Sequence, residues 1–513
     1  MSISKSIVAH TFLFALFPVV FAYSVNMHEL LPQDVILPAM LLVGISFAIW
    51  IALRFVLKSG RKAGLIISVG LVLFFIYGHV YNVVKDYAVA GADVGRHRYL
   101  IVPFLICFII STYYFVRTNR KLDNTTVIAN VISATLIAII LVNVVTYSIN
   151  ENYIISEKYD IESATDAGNT NTLGANKLGR LPDVYYIILD EYAGPRGLEF
   201  LQYDNSEFLS YLTEKGFYLP ADPHSNYPMT HFSVPSSMNM RYINYFADQL
   251  GKESKNYLPV RELLFNSEVI QNFKSLGYKI VIFNSGWVSP DEFKNVDVSL
   301  CKDEKFVDSV LLDTVTRTSM IGYFVERWSE QQSRDRVLCT FSELPTIKDD
   351  YEEPVFVFAH MLIPHAPYVF GPNGEAIVPG TSLYSEKWDE KLAYIDQLKF
   401  TNKETQTMIE KLLEGKDKEP LIIIQSDHGT GFIDWKNPTD DMLRQRFSNF
   451  NAYYFPDDAK NQLYERITPV NSFRVIFDAY FNGNYPLLED KAYWSNGYAP
   501  YDIRDVTDIV IKK

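Results

Sequence analysis

Cysteine and positive charge are both scarce in this sequence. Its 513 residues include three cysteines, none in a Cys-x-x-Cys or Cys/His spacing, which argues against a cysteine-bound metal. The net charge of −13 argues against nucleic acid as the main partner. The same charge is poorly suited to an electrostatic hold on anionic lipids, so any membrane attachment must come from apolar segments.

Long apolar runs are concentrated in the first 150 residues, and each is close to the roughly 20 residues that cross a bilayer. The five predicted spans are Ile7–Val25, Val35–Leu57, Ala63–Val84, Tyr99–Phe115 and Val127–Ile149. A cleaved signal peptide is the alternative for the first run, but a clear cleavage site is missing and further spans follow. The runs have no polar faces, which argues against buried core helices, so we predict a transmembrane domain over residues 1–150.

The charges between these runs predict their orientation. Lys5 precedes the first run, and basic residues recur in the loops Arg54–Lys62 and Arg117–Lys121. The loop after the first run carries Glu29 and Asp34 instead. The positive-inside rule therefore predicts a cytoplasmic N-terminus and a second half on the outer face of the membrane.

Two of the cysteines would share that outer location. Cys301 and Cys339 lie in the polar half of the sequence, whereas Cys107 lies inside an apolar run. An oxidising compartment favours disulfides, so we predict that Cys301 and Cys339 pair.

The second half begins after a polar segment, which we interpret as a juxtamembrane linker over residues 151–180, with an interfacial stretch at Tyr153–Tyr159. From residue 181 to 513, short apolar runs alternate with helical periods such as Glu390–Leu413. The predicted strands are Val184–Leu189, Tyr278–Phe283, Val355–Ala359, Leu421–Gln425 and Ala452–Phe455. Such alternation predicts an α/β domain with a largely parallel sheet between helices.

The stretch Asn226–Met240 is the first candidate for chemistry. Pro228 disfavours helix at the residue before it, which places Thr230 where an extended segment turns into a helix. Ser233, with Pro235 close behind it, is interpreted as the N-cap of that helix. A hydroxyl at a helix start faces unpaired N–H groups, which suits a phosphate or an attacking alkoxide. A helix cap without catalytic function is the alternative.

Acidic residues follow two of the predicted strands. Asp190 and Glu191 end the first strand, and Asp427 and His428 end another, just before Gly429. The carboxyl ends of strands are where α/β proteins place ligands. Two adjacent acids are also common in solvated turns, but carboxylates with an imidazole suit a divalent ion of the zinc or manganese kind.

Two histidines lie near the end of a third strand. His365 lies between two prolines in Pro-His-Ala-Pro, which restricts its conformations and suits a ligand or a phosphate donor. His360 by itself is more typical of a buried core histidine. Together with Asn226, both histidines are candidates for substrate contact.

These motifs, in this order, resemble the sulfatase-like branch of the alkaline phosphatase superfamily. Within that branch the sequence is similar to membrane-bound phosphoethanolamine transferases and lipoteichoic acid synthases, which also have five spans followed by an exported catalytic domain. The matching residues are Thr230, Ser233, Val234 and Pro235 for the nucleophile motif, Glu191 for the metal-binding glutamate, Asp427, His428 and Gly429, and His365.

The sequence departs from those transferases at several positions. The segment after Gly429 lacks their further Glu and His, which argues against a second metal site, and Asp190 replaces a glycine, as in the double acid of sulfatases. Their many cysteines are absent, so donor and acceptor do not carry over. A sulfatase would need Cys or Ser in a (Cys/Ser)-x-Pro-x-Arg motif, where this chain has Ser233 but Ser237 in place of arginine.

The resemblance implies a bacterial inner-membrane enzyme whose catalytic domain faces the periplasm or the exterior. It would move a phospho-alcohol group, of the phosphoethanolamine or phosphoglycerol type, from a phospholipid donor to an envelope glycan or lipid acceptor through a phosphorylated threonine. The implied site consists of Thr230 as nucleophile, Glu191, Asp427, His428, Asp190 and Thr230 around a zinc or manganese ion, and His365, His360 and Asn226 at the substrate. A membrane-anchored phosphodiesterase or sulfatase-like hydrolase is the alternative, and an inactive binding module is a third reading.

Overall fold

The structure is a computed structural model that describes residues 7–85, 97–158, 173, 181–303, 309–378, 389–415, 419–456 and 458–511. These residues form two compact units. The first unit combines the N-terminal helices with residues 309–329, and the second contains the rest of the described chain. The boundaries of the predicted domains stay a prediction, and most of the expected linker lies outside the described residues.

Apolar helices make up the first unit. They are α1 (His10–Val25), α2 (Ile36–Leu57), α3 (Gly60–Val84), α4 (His97–Arg117) and α5 (Asp123–Lys158). The last four are long and apolar enough to cross a membrane, and α1 is a shorter apolar helix of 16 residues. Each predicted span coincides with one of these helices, and α5 continues beyond its predicted end into the expected interfacial stretch.

Polar contacts join three of these helices near the start of α1. The Asn130 Oδ1 atom on α5 accepts hydrogen bonds from the N–H groups of Ala9 and His10 at 3.1 and 2.8 Å. The first N–H groups of a helix have no partner within it, so this amide satisfies donors that would otherwise be unpaired in an apolar environment. The His10 Nδ1 atom also lies 2.6 Å from the Ser68 hydroxyl on α3.

Thirteen further α-helices follow among the described residues. They are α6 (Pro195–Leu201), α7 (Ser206–Glu214), α8 (Thr230–Met238), α9 (Tyr245–Leu250), α10 (Leu258–Phe265), α11 (Glu268–Ser275), α12 (Val310–Arg317), α13 (Gly322–Glu343), α14 (Ile347–Asp350), α15 (Glu390–Leu413), α16 (Asp440–Phe447), α17 (Pro469–Phe481) and α18 (Thr507–Ile511). Helix α12 belongs to the first unit, and α13 runs from the first unit into the second.

A six-stranded sheet forms the centre of the second unit. Its strands are β1 (Val184–Leu189), β2 (Lys279–Phe283), β3 (Val298–Leu300), β4 (Val355–Met361), β5 (Leu421–Gln425) and β6 (Asn451–Tyr454), in the order β3-β2-β4-β1-β5-β6. All neighbours are parallel except β5 and β6. This sheet confirms the predicted fold class. Strand β3 and a separate hairpin of β7 (Tyr493–Asn496) and β8 (Ala499–Asp505) were not predicted.

Both faces of the sheet are buried, which explains the continuous apolar runs of its strands. Successive residues of a strand point to opposite faces, so β1 supplies two different cores. One face packs Tyr185, Ile187 and Leu189 with Leu398, Met408, Ile409 and Leu412 of α15. The other face packs Val184, Tyr186 and Ile188 with Phe473, Phe477 and Phe481 of α17.

A disulfide fastens the edge of this sheet to a helix. Cys301, just after β3, is bonded to Cys339 on α13, and their Cα atoms are 5.8 Å apart. The predicted pairing is therefore confirmed. With a sequence separation of 38, such a crosslink stabilises the fold by about 4 kcal/mol in the chain-entropy model.

Candidate active site

Three parallel strands bring the candidate residues to one edge of the sheet. Strand β1 lies between β4 and β5, and Ile188 of β1 pairs with His360 of β4 and with Gln425 of β5. Two residues beyond Ile188 and Gln425 come Asp190 and Asp427. Since parallel strands end at the same edge, these two acids and His360 become neighbours.

Asp190, Asp427 and His428 form the one cluster among the described residues that has the geometry of a metal site. All three are buried, and one ligand atom from each lies within 4.8 Å of the others. The His428 Nε2 atom is 3.2 Å from Asp427 Oδ2 and 3.8 Å from Asp190 Oδ1.

The chemistry of this cluster fits a divalent ion. The Asp190 Oδ1 and Asp427 Oδ2 atoms are buried without a hydrogen-bond donor. A buried carboxylate oxygen is costly unless a cation or a donor meets it. Two carboxylates and one imidazole are suitable ligands for zinc or manganese.

The protonation states of the cluster follow from its burial. Burial raises the pKa of Asp427 to about 7, and the charge of Asp190 adds to that rise. Burial also acts to raise the pKa of Asp190, but His365, His360 and His428 together lower it below its usual range. Burial, with the nearby charge of Arg446, holds the pKa of His428 well below its usual value. A neutral imidazole of this kind is the form that binds metals.

Thr230 places its hydroxyl beside the cluster. It is the first residue of α8, because Met229 is still extended, with φ −133° and ψ 141°. The N–H groups of Phe232 and Ser233 donate to the Met229 carbonyl, which starts the helix. The Thr230 Oγ1 atom lies 3.1 Å from His428 Nε2. The hydroxyl therefore lies both at the start of the helix and beside the cluster of Asp190, Asp427 and His428.

The expected N-cap at Ser233 is wrong. Ser233 lies inside α8, and Pro235 falls beyond the first turn rather than in it. The helix begins one turn earlier, because the extended backbone at Met229 ends directly before Thr230. The Ser233 hydroxyl donates instead to the Asp427 carbonyl at 2.6 Å, which ties α8 to the end of β5.

Glu191 has a left-handed backbone, with φ 61°, that Tyr394 holds in place. The Tyr394 hydroxyl on α15 donates to the Glu191 carbonyl and accepts from the Ala193 N–H group, both at 2.9 Å. The Glu191 N–H group donates to Asp427 Oδ1 at 3.2 Å. This turn directs the two adjacent acids to different partners.

The Glu191 carboxylate lies outside the three-residue cluster. Its Oε1 atom accepts a hydrogen bond from the Gly431 N–H group and lies 3.6 Å from Arg446 Nη1. Its Oε2 atom is 3.4 Å from His365 Nε2. Burial raises the pKa of Glu191, and Arg446 and His365 oppose that rise. The Glu191 carboxylate therefore already has a cation and two hydrogen-bond donors as partners. Metal binding by Glu191 stays a prediction.

Arg446 is a site residue that the sequence analysis missed. It lies buried on α16, and its guanidinium is 4.7 Å from the centre of the Trp435 ring. It donates to the carbonyls of Pro228 and Gly429, both at 2.7 Å. It thereby joins the loop before Thr230 to the loop after β5. The helical spacing of Arg446 from buried Leu443 was the available signal.

The two candidate histidines contact different acids. His360 is buried in β4, with Nε2 3.2 Å from Asp190 Oδ2. His365 is partly exposed, and the nearby acids Asp190 and Glu191 raise its pKa against the opposing effect of burial. His365 lies between two cis prolyl bonds, at Pro364 and Pro367.

Gln397, which the sequence analysis also missed, holds the loop that carries His365. Its side-chain nitrogen donates to the carbonyls of Pro364 and His365, at 3.1 and 2.9 Å. Its oxygen accepts from the N–H groups of Val369 and Phe370, at 2.9 and 3.2 Å. One buried side chain therefore fixes both ends of this loop, and the sequence carries no local signal for such a long-range role.

Asn226 is buried, and its side chain bonds to backbone groups from later in the chain. Its oxygen accepts from the Val470 N–H group at 3.0 Å, and its nitrogen donates to the Lys491 carbonyl at 2.9 Å. These bonds give Asn226 a structural role. Substrate contact by Asn226 stays a prediction.

The sequence also matches a known family. The model of the sulfatase family matches residues 182–474, which is more than half of the chain. A comparison with curated proteins gave no match.

Several solved structures match this chain at low identity. One is lipooligosaccharide phosphoethanolamine transferase A from Neisseria meningitidis, with 11% identity and a TM-score of 0.41 over 93% of this chain and 96% of that one. The C-terminal periplasmic domain of EcEptC from Escherichia coli has 13% identity and a TM-score of 0.42 over 65% and 96%. A glycosaminoglycan-metabolism protein of Bacteroides thetaiotaomicron has 12% identity and a TM-score of 0.39 over 64% and 84%.

Proposed function

Because the chain belongs to the sulfatase family, we propose that it is a metal-dependent phosphotransferase of the bacterial inner membrane. It would move a phospho-alcohol group from a phospholipid to an envelope glycan or lipid. The observation that carries this proposal is the Thr230 hydroxyl, 3.1 Å from His428 Nε2 beside the buried Asp190 and Asp427. The apolar helices of the first unit support a lipid donor.

Asp190, Asp427 and His428 are the proposed ligands of a zinc or manganese ion, with the Thr230 oxygen completing the site. When bound, such an ion lowers the pKa of a hydroxyl that it contacts and offsets negative charge on a phosphoryl group. Glu191 is proposed to border the site, where it orients Arg446 and His365.

The reaction would take place in two steps. In the first, the Thr230 hydroxyl gives its proton to solvent water, its oxygen attacks the phosphorus of the lipid head group, and the phosphorus–oxygen bond to diacylglycerol breaks. His365 is proposed to donate a proton to the departing diacylglycerol oxygen, since its raised pKa favours the protonated form. In the second step, an acceptor hydroxyl gives its proton to His365 and attacks the phosphorus of the phosphorylated threonine. The phosphorus–oxygen bond to Thr230 breaks, and the Thr230 oxygen regains a proton from solvent water.

A phosphodiesterase or sulfatase-like hydrolase, in which water attacks in the second step, is the second candidate. The family match favours it. A formylglycine sulfatase is disfavoured, because Thr230 at the nucleophile position cannot become formylglycine and Ser237 replaces the arginine of that motif.

Mass spectrometry of the intact purified protein, after incubation with an envelope lipid extract, tests the proposal. A covalent adduct on Thr230 is expected, and its mass names the transferred group. Diacylglycerol should also form faster when acceptor is added. Free phospho-alcohol released at a rate indifferent to any acceptor would favour the hydrolase, and an adduct on another residue would contradict the assignment of Thr230.

A further inference from the structure

A segment from within the second half of the sequence, residues 309–329, packs on the apolar helices of the first unit. The Ser309 hydroxyl caps α12 by accepting a hydrogen bond from the Leu312 N–H group at 3.2 Å. Leu311 and Val315 of α12 are fully buried. They share an apolar cluster with Val19, Ala22, Tyr23 and Leu30, from α1 and the loop after it.

The end of α12 makes an unusually close backbone contact with α3. The Met320 N–H group donates to the Phe74 carbonyl at 2.8 Å. A Cβ atom on Gly78 would lie 2.4 Å from the Thr318 carbonyl oxygen, so a larger residue cannot occupy this position without displacing the segment. Tyr323, just beyond, lies 5.0 Å from the His97 ring at the start of α4.

All of these contacts lie at the same ends of the spanning helices. They involve the end of α1, the C-terminal half of α3 and the beginning of α4, which are opposite to the basic loops Arg54–Lys62 and Arg117–Lys121. The positive-inside rule places those loops in the cytoplasm. Residues 309–329 therefore lie at the outer ends of the spans.

The first turns of α13 and the residue before them carry an exposed apolar stripe. Ile321, Phe324 and Trp328 follow each other at helical spacing and are 42%, 69% and 46% exposed. Soluble surfaces rarely expose such a continuous apolar row. Arg327, whose guanidinium lies 5.3 Å from the Tyr323 ring, is adjacent. Aromatic and arginine side chains together are typical of the boundary between membrane and water.

We infer that residues 309–329 are an interfacial segment that inserts Ile321, Phe324 and Trp328 into the outer leaflet, between the lipid head groups and acyl chains. The lipid is the occupant because the segment packs on α3, an apolar helix long enough to cross a membrane, and Val83 near the same end of α3 is exposed as well. The basic side chain of Arg327 would then meet lipid phosphates.

Fluorescence quenching in the full-length protein tests the inference. In a Cys107→Ser background, Phe324→Cys is labelled with an environment-sensitive fluorophore and reconstituted into bilayers that contain lipids with brominated chains. Leu487→Cys, at a 51% exposed position in the second unit, is the matched aqueous control. Ile109→Cys, at a 62% exposed position on α4, is the control within the membrane.

Quenching by the brominated lipid should be several-fold stronger at position 324 than at 487, and iodide in the water should show the reverse order. A label at 324 that behaves like the one at 487 would overturn the inference. A label at 324 that is shielded from both iodide and lipid would indicate a protein partner, which would overturn it as well.

A second variant tests the contact with α3. Adding Gly78→Leu to the labelled Phe324→Cys protein should displace the segment and reduce lipid quenching several-fold. Gly44→Leu is the matched control, since a Cβ atom at Gly44 meets nothing within 4 Å. Unchanged quenching in the Gly78→Leu protein would contradict the proposed seating of the segment.

Discussion

Thr230 and Ser233 lie one helical turn apart, and their hydroxyl groups have different partners. Thr230 lies beside His428, whereas Ser233 donates to the Asp427 carbonyl. Thr230→Ala should therefore abolish turnover and the covalent adduct together, while Thr230→Ser should retain part of both because an oxygen remains. Ser233→Ala loses one buried hydrogen bond and should cost about 1 kcal/mol of stability with chemistry largely intact.

Steady-state rates, adduct mass and thermal unfolding of the three variants provide the measurement. An active Thr230→Ala protein together with an inactive, folded Ser233→Ala protein would show that Ser233 is the nucleophile.

The ligands of the proposed metal can be separated by substitution. Asp190→Asn, Asp427→Asn and His428→Ala should each lose metal, because their ligand atoms lie within 4.8 Å of one another. Glu191→Gln should retain more, because the Glu191 carboxylate is held by Gly431 and Arg446. Elemental analysis of the purified variants measures this. Full metal occupancy in Asp190→Asn, or loss of metal in Glu191→Gln alone, would show that Glu191 is a metal ligand, as the sequence predicted.

Arg446 is the buried cation of the site, and its removal should be costly. Arg446→Met removes the buried guanidinium that pairs with the Glu191 carboxylate, and breaking such a buried pair typically costs about 3–5 kcal/mol. Arg444→Met on the same helix is the matched control, because Arg444 pairs with Asp441, which is largely exposed, and such a pair is worth at most about 1 kcal/mol. Chemical denaturation of both variants gives the comparison, and equal stability would show that Arg446 is not needed to balance Glu191.

At the level of single residues, the sequence predicted those that follow strands. Asp190, Asp427 and His428 lie at strand ends, where apolar runs stop, so their meeting point followed from a parallel sheet. Arg446 and Gln397 reach the site from helices that come later in the chain, and their roles depend on packing that a local pattern does not encode.

At the scale of elements, strands with continuous apolar runs were predictable and the others were not. Strand β3 has three residues, and none of them is buried. The hairpin of β7 and β8 mixes buried aromatic residues such as Trp494 and Tyr501 with exposed polar ones, so it has no simple period. The start of α8 was placed at the wrong residue because Pro235 was taken as a first-turn proline, whereas it lies inside the helix.

Helix α15 should control catalysis through Gln397. Gln397→Ala removes four hydrogen bonds that hold the loop of His365 and should lower turnover by about tenfold to a hundredfold, since misplacing a catalytic group by about 1 Å has such effects. Lys399→Ala is the control on the same helix, because Lys399 is exposed and pairs with the partly exposed Asp396 at 3.1 Å. The measurement is the turnover rate of both variants in folded protein. Equal rates would show that Gln397 is not needed to position His365.

At the scale of the whole molecule, the positive-inside pattern and the disulfide lead to one prediction about topology. An alkaline phosphatase reporter fused after Lys513 should be active, because the second unit should lie outside the cytoplasm. Unreduced, denatured protein should show one reactive thiol, Cys107, since Cys301 and Cys339 are bonded. An inactive phosphatase fusion, together with fluorescence from a green fluorescent protein fused at the same position, would contradict this topology. Three free thiols would contradict it as well.

The return of the chain to the membrane unit at residues 309–329 has a practical consequence for protein production. A fragment that begins at residue 181 removes every spanning helix but keeps Ile321, Phe324 and Trp328, together with Leu311 and Val315, which lose their partners on α1. Such a fragment would aggregate in water and would need detergent to stay in solution. A short hydrophilic linker in place of this segment, rather than a later starting residue, is the change that would yield a water-soluble enzyme for crystallisation.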